Sequence, residues 1–157
     1  NGGGFKTNNV LIRKSVFDKV LFNEQLSGYG HEDTLFGFEL HMNGFHTHHL
    51  DNPVRNAILD SNEAFLAKTE EAIRNLCKCI DYASNQKAFI AHVRLLSVHA
   101  TLKKYGLLGL LRLTAFIGVP VLLNRLKAGR SLGIIFGFDF YKLYLLDQLR
   151  GEKNHKS

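Results

Sequence analysis

Two adjacent carboxylates, Glu32 and Asp33, follow the loop Gly28-Tyr29-Gly30-His31 and open an apolar run, Leu35, Phe36, Phe38, Leu40 and Met42. The run closes on Asn43-Gly44, a helix stop, so the two acids stand at a helix N-terminus. There the backbone N–H groups and the helix dipole favour an ionised carboxylate, the form a general base requires. Glycines ahead of it fix where the acid stands and leave it within reach of a substrate. A structural use competes with this one: Asp33 can cap a helix beginning at Thr34, with Glu32 as a surface acid complementing the dipole. The pair by itself favours capping.

Other chemistry-bearing residues are more ordinary. His46, His48 and His49 invite a metal reading, but on a strand His46 and His48 share one face while His49 points to the other. No cysteine or carboxylate at ligand spacing completes the set, which favours plain strand histidines. His92 and His99 lie seven apart on a similar helix face and read as interfacial or surface residues. Cys77 and Cys79 are two apart in a helical stretch and point to different faces, which suits core or boundary packing better than a disulfide or zinc pair. Nothing here demands an oxidising compartment, and no secretory signal opens the chain.

The elements that must position Glu32 and Asp33 read as mixed α/β. Residues 9–13 form a β-branched strand candidate, and Ser15 with Asp18 suits the cap of a short helix. Residues 45–50 alternate like a strand, and residues 53–58 make a second extended piece. From Asp60 the character is helical. Asp60 with Glu63 suits an N-cap box ahead of the stripe Phe65, Leu66, Thr69, Ile73, Leu76 and Ile80. A helix over residues 86–105 stops at Gly106. Residues 107–123 carry one charge, Arg112, and are interrupted by Gly118 and Pro120; residues 131–150 are rich in aromatics.

The 157 residues suffice for one ordinary domain, and 45% hydrophobic with 22% charged residues exclude a disordered or fibrous protein. The net charge of +6 is uneven. Residues 1–100 hold 10 basic and 11 acidic side chains, whereas residues 101–157 hold 10 basic and 3 acidic. The basic end shows no interleaving of Lys or Arg with aromatics on a recognisable module, so nucleic-acid binding is disfavoured.

The set around the acids is ordered: Phe5-Lys6-Thr7-Asn8-Asn9 and Phe17 upstream, then Gly28-Tyr29-Gly30-His31-Glu32-Asp33, then Leu40, Gly44-Phe45 and Asp51-Asn52-Pro53-Val54. In order and spacing this resembles the C-terminal, acceptor-side half of family 2 glycosyltransferases with the GT-A fold, and the related galactosyltransferase C-terminal module. The resemblance covers residues 4–76 and reverses the preference for capping. It implies an α/β acceptor-side part of a GT-A domain over residues 1–60, followed by a mostly α-helical extension over residues 61–157. It also implies an inverting transfer of a sugar from a nucleotide-sugar donor to a saccharide or lipid-linked acceptor hydroxyl. Asp33 would be the general base and Glu32 the residue that orients the acceptor or the base. Asn8 or Asn9 would face the donor, and Tyr29, Gly30 and His31 would line the acceptor site.

The family binds a divalent metal, Mn or Mg, mostly through a D-x-D motif in its nucleotide-binding half. This sequence has no D-x-D, which implies a domain lacking that half. Where relatives place a further histidine ligand, this chain has Asn56, leaving Asn56 or the nearby His49 to take that part, or altered metal binding. Glu39-Leu40 stands where R-L is usual, a reversal of charge near the site.

A spanning helix needs about 20 apolar residues, and the interrupted stretch 107–123 falls short. Two readings stay open for the tail. Two short helices could lie in the membrane interface, with Arg112, Arg125, Lys127 and Arg130 on anionic headgroups and aromatics of 136–144 at the boundary. Alternatively, the helices pack on the domain as an apolar cap. The first places the protein in the cytoplasm, peripheral on the inner membrane face. The alternative to the enzyme is a non-catalytic helical interaction or membrane-docking module. Oligomeric state is not specified by the sequence.

Overall fold

A computed structural model describes residues 5–52, 54, 60–127 and 134–154. These form seven helices: α1 (Lys14–Phe17), α2 (Glu32–Met42), α3 (Asn62–Tyr82), α4 (Gln86–His92), α5 (Arg94–Lys104), α6 (Leu108–Lys127) and α7 (Ile134–Asn154). Among the described residues there is no strand, so the expected α/β, GT-A-type architecture is overturned. The physical reason is pairing. A strand satisfies its backbone through a neighbour, and residues 9–13 and 45–50 find no ladder. Instead they border an open groove of about 510 Å³, with Leu11 and Leu50 facing solvent. Of the extended piece expected at 53–58, all but Val54 lies outside the described residues.

The helices are set by apolar spacing and by their caps. Asn43 and the left-handed Gly44 (φ 76°) end α2 as the sequence predicts. At α3 the cap is Ser61, whose Oγ accepts from the Ala64 N–H at 3.2 Å, and Asp60 instead pairs with Lys68 at 2.7 Å. The short α1 begins after Arg13 with no side-chain cap, so the Ser15 cap is not formed. The helix expected over 86–105 is two. At Val93 the backbone turns extended (φ −89°, ψ 112°), yet its N–H still reaches the Phe89 carbonyl and its carbonyl still accepts from Ser97. Val93 thus keeps both of its own helical hydrogen bonds, and the bend brings both Phe89 and Leu96 into the core.

Helix α2 buries apolar residues on two sides. Leu35 and Phe38 enter the main core, with Ile73, Leu76, Cys79 and Ile80 of α3, Phe89, Leu96 and Leu146. Phe36 and Leu40 enter a second cluster with Val20, ringed by Phe5, Val16, Phe17, Phe22 and Phe45. Phe36 lies at its centre, its ring stacked on Phe22 with centroids 4.0 Å apart. A helix with apolar residues on more than one side must be covered on each of them, and here two clusters share it. The main core thus draws on residues on both sides of position 60. A third cluster joins α3, α6 and α7 through Leu66, Ala115, Val119, Leu126 and Tyr141.

The long apolar stretch is one unbroken helix, α6, running through Gly118 and Pro120; the two short helices expected from those residues are not formed. Pro120 is exposed, so its ring and its missing N–H fall on the side with no protein neighbour. Meanwhile Ala115 and Val119 before the proline and Leu126 after it anchor the helix from the other side. Cys77 and Cys79 are buried, as their spacing suggests, and form no disulfide.

Candidate functional site

Three of four successive residues ahead of α2 are left-handed: Gly28 (φ 99°), Gly30 (φ 93°) and His31 (φ 70°). Glycine takes this conformation at no steric cost, whereas His31 does so under strain. The loop is pressed onto α3. A Cβ on Gly30 would stand 2.8 Å from the Ala72 Cβ, and one on Gly28 would strike the Glu71 carboxylate. Asn75, buried in α3, donates its Nδ2 to the Tyr29 carbonyl at 3.2 Å, and the Cys79 thiol lies 3.6 Å from the His31 carbonyl. Local glycine chemistry and contacts with α3 together set where α2 begins.

That beginning is Glu32, two residues earlier than the capping alternative assumes. The N-cap is His31, with no side-chain cap bond, and Asp33 sits inside the first turn. Asp33 is therefore not the cap. Its Oδ1 accepts from Thr34 Oγ1 at 3.3 Å, and Thr34 Oγ1 lies 3.1 Å from His31 Nδ1. Lys6 Nζ stands 3.9 Å from Asp33 Oδ2, with 16% of the Asp33 side chain open to solvent against 75% for Lys6. Phe5 brings Lys6 there. It packs on Phe36 and comes so near α2 that a Cβ on Gly37 would lie 2.5 Å from the Phe5 Cβ. Burial holds His31 below the usual histidine range; Asp33 opposes that shift, while Lys6 and Lys142 add to it. Glu32 is exposed.

His31 and Tyr29 also border an open cavity of about 150 Å³ between the loop, α3 and α7, walled by Phe65, Ala72 and Phe138. Phe65 and Phe138 stack with centroids 5.1 Å apart. Two lysines flank the opening. Lys68 Nζ lies 5.4 Å from the Tyr29 ring centre and Lys142 Nζ 5.1 Å from that of Phe138. Each is partnered by an aspartate, Lys68 by Asp60 and Lys142 by Asp139. The sequence offers no mark for Lys6, Lys68 or Lys142 at this place. Phe65 and Phe138 read there as core and tail aromatics.

The structure thus gathers Tyr29, Gly30, His31, Glu32 and Asp33 with Lys6. Asn8 and Asn9 are exposed, and Asn9 is engaged elsewhere, donating to the Asn52 carbonyl at 3.1 Å. Glu39 lies at the opposite end of α2 from Asp33 and accepts from the Ser84 N–H at 2.9 Å, closing the turn after α3. His49 is exposed and Asn56 lies outside the described residues. Among the described residues, no group of three or more His, Cys, Asp or Glu side chains converges as a metal site.

A second polar cluster lies in the helical part. Asp147 on α7 is buried and is approached by His99 Nε2 at 3.2 Å, Arg112 Nε at 2.7 Å and Arg112 Nη2 at 3.4 Å. His99 is itself buried where α5 meets α7, the interfacial one of the two placements its spacing suggests. Burial lowers its pKa against the Asp147 hydrogen bond. For Asp147, burial pulls upward, but the bonds from Arg112 and His99 together hold the carboxyl below its usual range. The arrangement ties α5, α6 and α7 together. No protein-family model, curated protein or solved structure matches this chain.

Proposed function

We propose that the loop and first turn of α2 form the acceptor site of an inverting, nucleotide-sugar-dependent glycosyltransferase, with Asp33 as general base. The observation that supports this reading is the strained, α3-braced loop, which holds a mostly buried carboxylate in the first helical turn and whose Tyr29 and His31 line an aromatic-walled cavity. Backbone strain of this kind is retained where surrounding structure over-determines it, and functional sites are where it concentrates. The proposal rests on the site alone and not on an α/β domain.

In the step proposed, the acceptor hydroxyl attacks the anomeric carbon of the donor and gives its proton to the Asp33 carboxylate. The new C–O bond forms as the bond to the nucleoside diphosphate breaks, and the configuration inverts. Tyr29, more than half exposed, offers an aromatic surface to a sugar ring. Lys68 and Lys142 at the cavity mouth suit an acceptor carrying negative charge, as a lipid-linked phosphate does. Glu32, exposed next to Asp33, is placed to accept a hydrogen bond from the acceptor. No step is assigned to a metal.

The test is release of nucleoside diphosphate from a panel of nucleotide sugars, with the native protein and Asp33→Asn compared. Loss of a general base lowers turnover by about 10²–10⁴-fold. Release at the native rate by the variant, or none by the native protein with any donor, overturns the reading.

A further inference from the structure

Helix α6 buries one stripe and leaves the opposite one bare. Ala115, Val119 and Leu126 pack toward α3 and α7, and Leu111 is buried as well. On the other side Leu110, Leu113, Phe116, Ile117 and Val121 recur at helical spacing and are 51–80% exposed. The 19 residues Leu108–Leu126 are long and apolar enough to cross a bilayer, and only 17% of that window is buried against the rest of the chain. A core helix would be mostly covered. A bare apolar ridge of this extent marks a partner.

Charge identifies the partner. Between Asp81 and Asp139 the chain has no Asp or Glu and eight Lys or Arg. Arg125 is exposed beside the ridge, and Lys103 and Lys104 are exposed at the end of α5, just before α6 begins. A protein partner carrying an equally apolar face would not need an acid-free surround, and a second copy of this chain would set these cations against their own kind. An anionic lipid surface answers both the apolar ridge and the cations.

We propose that α6 docks the protein in the plane of an anionic membrane, with Leu110, Leu113, Phe116, Ile117 and Val121 in the acyl boundary. Lying in the plane is preferred to spanning because α6 is not a free helix. Its other side is bound to α7, with Arg112 tied to Asp147, and α7 carries the exposed Asp139 and its partner Lys142. Crossing the bilayer would carry those charges into hydrocarbon. In-plane docking keeps them on the watery side. The proposal is independent of the chemistry at Asp33.

The test is co-sedimentation of the whole chain with vesicles of phosphatidylcholine alone and with an equimolar phosphatidylcholine–phosphatidylglycerol mixture. Binding is expected to the mixture, to weaken with added salt, and to fall about tenfold or more for the double variant Phe116→Glu, Ile117→Glu. Both residues are exposed, so circular dichroism of the variant should match the native spectrum. Four results would each overturn the proposal: no binding to the anionic vesicles, equal binding to both compositions, undiminished binding by the double variant, or retention in the pellet after alkaline carbonate extraction. The last would show a spanning helix. A stable dimer abolished by the same substitutions, with no vesicle binding, would assign the ridge to a second copy instead.

Discussion

Gly30→Ala tests whether the loop ahead of Glu32 is held by α3 in the way described. Two penalties meet at that residue. An alanine at φ 93° leaves the allowed regions for L-residues, which costs about 1–2 kcal/mol. Its methyl would also stand 2.8 Å from the Ala72 Cβ, well inside van der Waals contact, and overpacking of this order costs about 1–3 kcal/mol. We expect a total near 3 kcal/mol, equivalent to a fall in Tm of about 10 °C for a chain of this size. Urea denaturation followed by circular dichroism measures it. The two contributions can be separated, because Ala72→Gly removes the methyl that the new one strikes. Alone, Ala72→Gly should cost about 1 kcal/mol as a glycine inside α3. Combined with Gly30→Ala it should restore roughly 1–2 kcal/mol of the steric part and none of the backbone part, a coupling readable from the double-mutant cycle. A Gly30→Ala variant within about 0.5 kcal/mol of native, or strictly additive costs, would show that the loop does not rest on α3.

Other outcomes follow from the buried polar groups. His31 and His99 both have pKa values lowered chiefly by burial, so the unfolded chain binds protons that the native protein refuses. Their contribution to stability is complete above the unfolded histidine value of about 6.5 and declines as pH falls below it; the urea midpoint should therefore drop between about pH 7.5 and 5.5, and a flat profile would refute the assignment. Asp147, held low by Arg112 and His99 against the pull of its burial, adds a second decline in the acid range below its usual value. Burial pushes the Cys79 thiol up to about 12, so the native protein should resist a thiol reagent at neutral pH and react at this residue only when unfolded. Labelling of Cys79 at a rate independent of denaturant would contradict this.

The sequence shows local structure wherever local chemistry decides it. Asn43-Gly44 ends α2, the stripe from Leu66 to Ile80 marks the buried side of α3, and Gly106 follows the end of α5. Tertiary contacts decide the rest. Nothing at Val93 announces a bend, because the residue keeps both helical hydrogen bonds while changing direction. Pro120 should stop a helix, and does not, because the stripe packed on α3 and α7 continues on both sides of it. The β-branched and alternating residues of 9–13 and 45–50 carry strand propensity, but propensity needs a neighbour to become a sheet. His99 meets Asp147 across 48 residues, a distance no spacing rule bridges. At the candidate site the loop residues are visible as a motif, whereas Lys6, Lys68, Lys142, Phe65 and Phe138 arrive from three separate stretches of chain.

Because α2 is the common wall of two hydrophobic clusters, neither cluster can come apart without unsealing a face of the helix that carries Glu32 and Asp33. Loosening Phe36 from the Phe22 side, or Phe38 from the Phe89 side, reaches the same backbone. The amides in the middle of α2 are thus bound to the slowest, most global opening of the molecule. Loops that bind substrates usually belong to the least protected part of a protein; here the loop ahead of Glu32 is hinged to the most protected part. Any ligand that closes over Asp33 must therefore do so by moving what surrounds it, since the carboxylate itself is on an element that does not yield.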